Sequence, residues 1–489
     1  MLREKCGVFA AVSSGEAFVP LYWGLVAQNH RGHESYGFLT HSDGLKRYVD
    51  LGLVPRIERE ELIRWQMLLP GKRGIAHVRY GTSGKRDAYS HLRDAQPMVV
   101  SHGRSKMGIA FNGNLVNIGW LRGLLAGKNG KMHATSDTEL LCSYLASKAS
   151  VGIRDAIDAC MKEVEGAYSV VGLRSNGELF AFRDPLGIRP LCIGKNREGD
   201  LTAVSSETVG LDINALNFMG EVEPGEAILF SSNGESMARE RLASCPRRAL
   251  CGFELSYFSR PDSIINGKPV YKTREELGRN LARRYQEYVR RADLIVSIPE
   301  TAEDAAYGLH EETGIRWERM LRRHRFVTHR AFILDSEDRK VTIDRKINVA
   351  DGGLGGKRVI VVEDSIVRGD TTKTTIAKLR ERGAKEIYMF VTFPRITHPC
   401  FYGIDMATFK ELIGFRHDEE GIAKEIGADA VCYQPLEYFN RATGMDGRDL
   451  CMACVTGQYP TELAQTIADR VKSNITTESC RVYERGLEA

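Results

Sequence analysis

The segment that most constrains the fold begins at Arg358. The run Arg-Val-Ile-Val-Val at 358–362 ends in two adjacent acids, Glu363 and Asp364, and the chain then passes through Gly369 into a helical pattern. A continuous apolar run is typical of a strand buried on both faces, as in parallel sheets covered by helices. Strand-like and helix-like runs alternate from residue 290 onward, which predicts parallel strands joined by helical crossovers. The predicted elements are strands at 292–298, 358–362 and 386–392 and helices at 301–312 and 371–382.

The first half, to about residue 245, follows a different pattern. Short strand-like runs at 74–78, 107–111 and 168–172 alternate with Gly-, Asn- and Asp-containing turns and with a helix-like stretch at 136–149. This pattern predicts a layered domain of sheets and helices. A polar, Pro-containing segment at 244–248 predicts the junction between the two halves.

The composition excludes several classes of function. Lys and Arg number 68 against 64 Asp and Glu, and the resulting formal charge of +4 argues against nucleic-acid binding and favours small-molecule substrates. No apolar run reaches the roughly 18 residues of a membrane helix, and the run at 6–12 is too short for a secretory signal. We therefore expect a soluble, cytoplasmic protein. Its 11 cysteines suggest buried thiols, metal ligands or catalysis rather than a disulfide framework.

The loop after Asp364 has the chemistry of a phosphate site. Backbone N–H groups at a helix start, beside the hydroxyls of Thr371 and Thr372, can cradle a phosphate. Glu363 and Asp364 can accept hydrogen bonds from ribose hydroxyls and hold hydrated Mg²⁺. The alternative is an ordinary strand-to-helix turn with a solvated acidic pair.

The longer string Glu-Asp-Ser-Ile-Val-Arg-Gly-Asp-Thr-Thr at 363–372 resembles the phosphoribosyl pyrophosphate motif of type I phosphoribosyltransferases, in the version found in amidophosphoribosyltransferases. The resemblance implies that Mg²⁺ is held by Thr301, which follows the strand at 292–298, together with Glu363 and Asp364. It also implies substrate contacts from Ser365, Arg368, Gly369, Thr371 and Thr372.

Motifs in the first half follow a recognisable order. They are Cys6-Gly-Val-Phe, His30-Arg-Gly, His77-Val-Arg-Tyr, Asn112-Gly-Asn and Ser136-Asp-Thr-Glu. A lone early cysteine is more often a small buried apolar residue than a nucleophile. The ordered set, however, resembles the glutaminase domain of N-terminal-nucleophile amidotransferases over roughly residues 6–240.

The resemblance gives each of these motifs a role. Cys6 is the implied nucleophile, Asn112 and the Gly113 N–H form the oxyanion hole, and Arg79 and Asp137 hold the α-carboxylate and α-amino group of glutamine. A free α-amino group, with a pKa of about 7.7–8.0, can act as base for its own thiol, which an internal amide cannot do. We therefore expect Met1 to Lys5 to be removed.

The Cys451-Met-Ala-Cys454 sequence alone fits a redox pair, half a zinc site or half an iron–sulfur site. One subgroup of amidophosphoribosyltransferases carries a [4Fe–4S] cluster, and its ligand contexts resemble those of Cys251, Cys400, Cys451 and Cys454. The resemblance therefore implies a [4Fe–4S] cluster on these four cysteines. Tetrahedral Zn²⁺ and unliganded thiols remain the alternatives.

Together the resemblances cover nearly the whole chain. They imply a two-domain protein of mixed α/β and α+β class: a propeptide at 1–5, an αββα four-layer N-terminal-nucleophile hydrolase (glutaminase) domain at 6–245, and a type I phosphoribosyltransferase parallel-sheet domain at 246–489 with a cysteine-containing extension. The implied reaction converts glutamine and phosphoribosyl pyrophosphate to 5-phosphoribosylamine, glutamate and pyrophosphate, the first step of de novo purine synthesis. A homo-oligomer is also expected.

Three positions depart from the family pattern. The loop at 323–331 lacks the glycine usual in the family's flexible loop, Phe111 stands where a His usually precedes Asn-Gly-Asn, and Asp370 replaces a Thr. Two alternatives therefore stay open. The chain could be a divergent paralogue that delivers ammonia to another acceptor, or a non-catalytic regulatory or assembly relative.

Overall fold

The computed structural model describes residues 6–80, 88–103, 105–126, 136–234, 236–245, 247–323, 347–350, 352–406 and 408–473. The strands of the first half are β1 Gly7–Ser13, β2 Ser35–His41, β3 Leu45–Leu51, β4 Arg73–Arg79, β5 Met98–His102, β6 Ser105–Leu115, β7 Gly166–Arg174, β8 Leu179–Arg183, β9 Cys192–Lys195, β10 Leu201–Ser205, β11 Asn217–Glu221, β12 Glu226–Phe230 and β13 Met237–Arg241. Its helices are α1 Phe18–Ala27, α2 Arg59–Leu68, α3 Ala88–Arg93, α4 Ile118–Ala126, α5 Asp137–Lys148, α6 Ile153–Glu163 and α7 Thr208–Asp212.

These strands form two antiparallel sheets that stack face to face. The seven-stranded sheet has the order β11-β9-β10-β1-β4-β2-β3, and the six-stranded sheet has the order β13-β12-β8-β7-β6-β5. Apolar side chains from both sheets fill the space between them, while α1 covers one outer face and α4, α5 and α6 cover the other. The predicted four-layer αββα architecture is confirmed.

The alternation of side chains along each strand explains why both faces of these sheets are apolar. In β1, Phe9 and Ala11 pack toward α1, whereas Val8 and Ala10 pack between the sheets. Successive residues of a strand point to opposite faces, so a strand covered on both sides is apolar at every position. This is why the sequence shows short unbroken apolar runs here.

The second half of the chain is built differently. Its strands are β14 Leu250–Cys251, β15 Ile264–Ile265, β16 Lys268–Pro269, β17 Leu294–Ser297, β18 Leu321–Arg323, β19 Ile347–Val349, β20 Arg358–Glu363, β21 Glu386–Val391, β22 Ala430–Tyr433 and β23 Leu450–Cys451. Its α-helices are α8 Val270–Arg284, α9 Gln286–Val289, α10 Glu303–Thr313, α11 Asp370–Glu381, α12 Ile413–Arg416, α13 Glu419–Ile426, α14 Leu436–Thr443, α15 Ala453–Thr456 and α16 Glu462–Ser473. A π-helix at Glu254–Phe258 and 3-10 turns at Phe409–Glu411 and Gly447–Asp449 complete the elements of this half.

The strands β17-β20-β21-β22 pair in parallel in that order. Helices α11 and α13 pack on one face of this sheet, and α8 and α10 pack on the other. Burial on both faces explains why β20 reads as a continuous apolar run. The parallel strands and helical crossovers expected from the sequence are confirmed, with bounds within one or two residues of those predicted.

A further apolar core joins the two halves. Val116, Ala167 and Ile188 of the first half pack in one apolar cluster with Phe253, Phe401 and many other residues of the second half. Within the described part of the chain, no helix is both long enough and apolar enough to cross a bilayer.

Candidate functional site

A cavity of about 340 Å³ lies beyond the carboxyl ends of β17 and β20, and we call it the sheet-edge cavity. Ligands bind at this edge of parallel sheets because the loops that leave the strands meet there. The residues predicted to bind phosphoribosyl pyrophosphate and its metal all line this cavity: Thr301, Glu363, Asp364, Ser365, Arg368, Gly369, Thr371 and Thr372. Residues that are 71 positions apart in the sequence thus meet at one place.

Two acids form one wall of the cavity. Burial, and then the neighbouring Asp364 carboxyl, raise the pKa of Glu363 well above its usual range. Burial also raises the pKa of Asp364, although its carboxylate accepts hydrogen bonds from the Ser365 hydroxyl at 2.6 Å and from the Thr301 hydroxyl. Adjacent buried carboxylates repel each other when both are charged. A cation bound between them would remove this repulsion.

The start of α11 lines the cavity beside the two acids. Gly369 precedes the helix with φ +90°, and a Cβ there would lie 2.9 Å from Ile413 Cδ1, so the position requires glycine. The first N–H groups of a helix have no partners within the helix and attract anions. Thr371 and Thr372 of this first turn line the cavity, whereas Asp370 is exposed and is not among the lining residues. The start of α11 therefore has the features of a phosphate site.

A second set of residues surrounds Cys6, just before β1. The thiol donates a hydrogen bond to the Tyr80 carbonyl at 3.6 Å. Burial raises the pKa of Cys6 to about 11, with Arg79 lowering it and Asp137 raising it. At neutral pH the thiol is therefore protonated, and it needs a base before it can act as a nucleophile.

Opposite charges lie near this thiol. Arg79 ends β4, and its guanidinium is 3.9 Å from both the Glu34 and the Asp94 carboxylates. Asp137 begins α5 and accepts a hydrogen bond from the Leu115 N–H at 3.2 Å. A buried cation and a buried anion beside one thiol provide complementary charges for the carboxylate and ammonium groups of an amino acid.

Asn112 and Gly113 lie on β6. The Asn112 side chain is buried, and neither its amide nitrogen nor its amide oxygen has a hydrogen-bond partner among the described residues. Gly113 has φ +154°, and a Cβ there would lie 1.8 Å from the Ala167 carbonyl oxygen, so the position requires glycine. A buried amide without a partner costs stability. An unpartnered amide is nevertheless expected where the donor is reserved for a ligand.

Comparisons with known proteins identify the family to which the chain belongs. A family model described as a glutamine amidotransferase domain matches residues 87–212. The amidophosphoribosyltransferase of Bacillus subtilis is 37% identical over 486 residues, covering 98% of each chain. That of Methanocaldococcus jannaschii is 38% identical over 94% of this chain and 98% of its own. The chain belongs to the amidophosphoribosyltransferase family.

A solved structure leads to the same family. The glutamine phosphoribosylpyrophosphate amidotransferase of B. subtilis, complexed with ADP and GMP, superimposes with a TM-score of 0.83 at 35% identity, covering 94% of this chain and 98% of that one. Amidophosphoribosyltransferases are glutamine amidotransferases that carry out the first step of purine synthesis, and this chain is an enzyme of that type. The fold class predicted from the sequence is confirmed.

Two of the three departures from the amidophosphoribosyltransferase pattern have a structural explanation. Phe111 packs in the apolar core beneath α4, α5 and α6, on the face of β6 opposite to that of Asn112. Its N–H and carbonyl keep polar partners, Gln96 at 2.7 Å and His77 at 3.2 Å. Asp370 is exposed, as described above. The third departure, the loop at 323–331, lies outside the described residues from 324 onward.

The four cysteines expected from the amidophosphoribosyltransferase subgroup are buried in the core that joins the two halves. Parallel pairing of β14 with β23 places Cys251 opposite Cys451. The Cys454 carbonyl accepts hydrogen bonds from the N–H groups of residues 397 and 398, which lead directly to Cys400. Three separate chain segments thus bring the four thiols to one region.

The buried guanidinium of Arg189 lies close enough to these thiols to affect their pKa values. Burial raises the pKa of all four thiols, while Arg189 acts in the opposite direction on Cys251, Cys400 and Cys451. Among the residues that the structure describes, no three His, Cys, Asp or Glu side chains are arranged to hold one metal ion.

Sequence reasoning missed part of the sheet-edge cavity. His30, Arg260 and Arg274 also line it. His30 stands inside a motif that the sequence assigns to the glutaminase site rather than to this cavity, and nothing in the sequence around Arg274 distinguishes it from other arginines of an ordinary helix. Arg368 was predicted as a substrate contact. Its guanidinium is held by the Glu411 carboxylate, through Nε at 2.9 Å.

Proposed function

We propose that this chain releases ammonia from glutamine at Cys6 and transfers it to carbon 1 of phosphoribosyl pyrophosphate in the sheet-edge cavity. The observation that carries the proposal is the meeting of Thr301, the acid pair and the start of α11 around one cavity. A chain with only the glutaminase function would have no reason to keep this arrangement. The same chain also holds the Cys6 site, and relatives at 34–38% identity bear the name of this activity.

In the first half-reaction, the Cys6 sulfur attacks the side-chain amide carbon of glutamine. The carbon–nitrogen bond breaks, ammonia leaves, and water then cleaves the thioester to glutamate. The thiol proton needs an acceptor because the pKa of Cys6 is about 11, and the α-amino group freed by removal of Met1 to Lys5 would supply it. Asn112 and the Gly113 N–H would stabilise the oxyanion.

In the second half-reaction, ammonia attacks carbon 1 as the bond to pyrophosphate breaks. The Gly369–Thr372 segment would bind the 5′-phosphate through backbone N–H groups and hydroxyls. Mg²⁺, held by Thr301, Glu363 and Asp364, would neutralise the leaving pyrophosphate. Glu363 and Asp364 are buried neighbours that line the cavity, and a bound cation would relieve the repulsion between their charges.

An assay for phosphoribosylamine with either nitrogen donor tests this function. The proposal predicts product with glutamine and also with ammonium. Glutamate release without product from either donor would favour a paralogue with another acceptor, and a chain inactive in both reactions would favour the regulatory relative.

The proposed cofactor on the four cysteines is a [4Fe–4S] cluster. Four buried thiols beside Arg189 suit an anionic four-thiolate site. Tetrahedral Zn²⁺ on the same four thiols is the alternative that the experiment must separate from the cluster. Anaerobically purified protein should be brown, with about four iron atoms per chain.

Two serine variants sharpen that experiment. Cys451→Ser should lose the iron and the colour, while Cys160→Ser, which alters a thiol buried in the separate core under α6, should keep both. Colourless wild-type protein with one zinc per chain would refute the cluster. We also propose self-association of this chain, by its resemblance to the family, which light scattering would test.

A further inference from the structure

The buried carboxylate of Glu207 lies between the two reaction sites. It precedes α7 in the first half of the chain, and its side chain has no exposed surface. Burial alone would raise the pKa of Glu207, but the charges of Arg31 and His30 outweigh burial and hold that pKa below its usual range. The group is therefore an ionised acceptor of hydrogen bonds at neutral pH.

Each oxygen of the Glu207 carboxylate accepts hydrogen bonds from one half of the chain. Oε1 accepts hydrogen bonds from His30 Nε2 at 2.7 Å and from Arg31 Nε, both in the first half. Oε2 accepts from the Arg260 N–H at 2.8 Å and from Ser263 Oγ at 2.6 Å, both in the second half. Glu207 thus bridges the two halves through two pairs of donors.

The first-half donors lie against the glutaminase site. The segment 30–32 packs so closely on β1 and β4 that a Cβ on Gly32 would lie 2.4 Å from the Val78 carbonyl carbon, one residue before Arg79. A Cβ on Gly7, next to Cys6, would lie 3.3 Å from Arg31 Cδ. A displacement of this segment would therefore displace the backbone that carries the nucleophile and the glutamine-binding cation.

One second-half donor, Arg260, belongs to the wall of the sheet-edge cavity, and the other, Ser263, lies two residues beyond the lining residue Pro261. Arg260 and its neighbour Ser259 line the cavity, as does His30 itself. Arg31 reaches the same wall with its other end, where Nη2 donates to Glu254 Oε2 at 2.8 Å and to Ser259 Oγ at 3.2 Å. The segment 259–263, whose first three residues line the cavity, is thus held from the glutaminase side by one carboxylate and one guanidinium.

We propose that Glu207 is a positioning residue for the sheet-edge cavity, and that its carboxylate links the glutaminase backbone to the wall that receives phosphoribosyl pyrophosphate. This inference rests on the proposed function. It predicts that loss of one Glu207 oxygen loosens the wall and lets glutamine hydrolysis run without matching amine formation.

The test is Glu207→Gln, which keeps the shape and removes one acceptor. The Arg31 cation retains the remaining carbonyl oxygen, so the new NH₂ group faces the Arg260 N–H and the Ser263 hydroxyl. In ammonium-dependent synthesis, which bypasses the glutaminase site, we expect the KM for phosphoribosyl pyrophosphate to rise about tenfold. That is about 1.4 kcal/mol of binding free energy. With glutamine as donor, the ratio of glutamate released to phosphoribosylamine formed should rise above that of the wild type.

Glu226→Gln is the matched control. Glu226 is also buried and accepts from Arg239 Nε at 2.8 Å and from the Glu223 N–H at 2.7 Å, but it does not line the cavity. This variant should leave the KM and the product ratio within twofold of wild type. The same changes in both variants would attribute them to general loss of packing and overturn the proposal.

Ser263→Ala provides a second variant if Glu207→Gln fails to fold. It removes one donor to Oε2 without creating an unpaired charge, and it should raise the KM for phosphoribosyl pyrophosphate about threefold while the KM for glutamine stays unchanged. If the wild-type enzyme is active and the kinetics of both Glu207→Gln and Ser263→Ala are unchanged, the proposed role of Glu207 is refuted. An inactive wild type would instead refute the proposed function.

Discussion

Replacing Asn112 by alanine tests whether its unpartnered amide is reserved for the reaction. Loss of one oxyanion donor typically lowers kcat by about 10²–10³, or roughly 2.7–4 kcal/mol of barrier. Stability should respond differently, because the variant also removes two buried polar atoms that lack partners. Such atoms cost about 1–3 kcal/mol each, which offsets the lost packing. We therefore expect a large loss of glutaminase activity with a small change in melting temperature.

The assay has three readouts and one matched control. Glutamate release should fall at least a hundredfold, ammonium-dependent phosphoribosylamine synthesis should stay within twofold, and the melting temperature should barely move. Asn114, two residues further along β6, is equally buried, but its Nδ2 donates to the Leu115 carbonyl at 3.1 Å and to the Phe401 carbonyl at 2.9 Å. Asn114→Ala should lose more stability than Asn112→Ala. It breaks two bonds of about 0.5–1.5 kcal/mol each and leaves two carbonyls without this donor, although it also removes the unpartnered Asn114 Oδ1. The reasoning is refuted if Asn112→Ala loses less than tenfold in glutaminase kcat, or if synthesis from ammonium falls by the same factor.

Further predictions concern four other residues. Cys6→Ala should abolish glutamine use and keep synthesis from ammonium, and an active glutaminase that retains Met1 to Lys5 by intact-mass analysis would contradict the role of the free amine. Asp364→Asn should impair synthesis severely in the ammonium assay, whereas Asp370→Thr should change the affinity for phosphoribosyl pyrophosphate less than threefold; a gain of binding in Asp370→Thr would contradict an outward-facing Asp370. Burial, and then Arg79, lower the pKa of His77 to about 3, so the folded state resists its protonation and stability falls as pH drops below the unfolded value of about 6.5. From pH 7.5 to 5.5 this group should lower the unfolding free energy by about 1.4 kcal/mol, and chemical denaturation of His77→Gln should show a flatter pH dependence in this range.

The loop at 363–372 could be predicted because its chemistry is contiguous in the sequence. The strand, the acids and the phosphate-binding turn follow one another, so local pattern and site coincide. His30 and Arg274 reach the same cavity from segments far away, through packing that no local pattern encodes. Their roles could not be read before the fold was known.

Residue identity alone did not show whether Phe111 lies in the glutaminase site. The face of β6 on which its side chain lies decided this. Phe111 looked like a departure in the glutaminase site, but strand alternation turns it into the core beneath α5. The four cysteines, by contrast, could not be grouped from local sequence alone. Only Cys451 and Cys454 are close in sequence, and the resemblance to a family, rather than spacing, brought Cys251 and Cys400 into the prediction.

Strand β6, which carries Asn112, is packed partly against residues of the second half of the chain. Asn114 binds the Phe401 carbonyl, and a Cβ on Gly403 would lie 3.1 Å from the Gly113 carbonyl oxygen. A glutaminase fragment ending at residue 245 would therefore expose to water the side of β6 that residues 401–403 cover in the whole chain. It would also lose the loop that carries Cys400. The glutaminase half thus depends on the second half for part of the packing around β6.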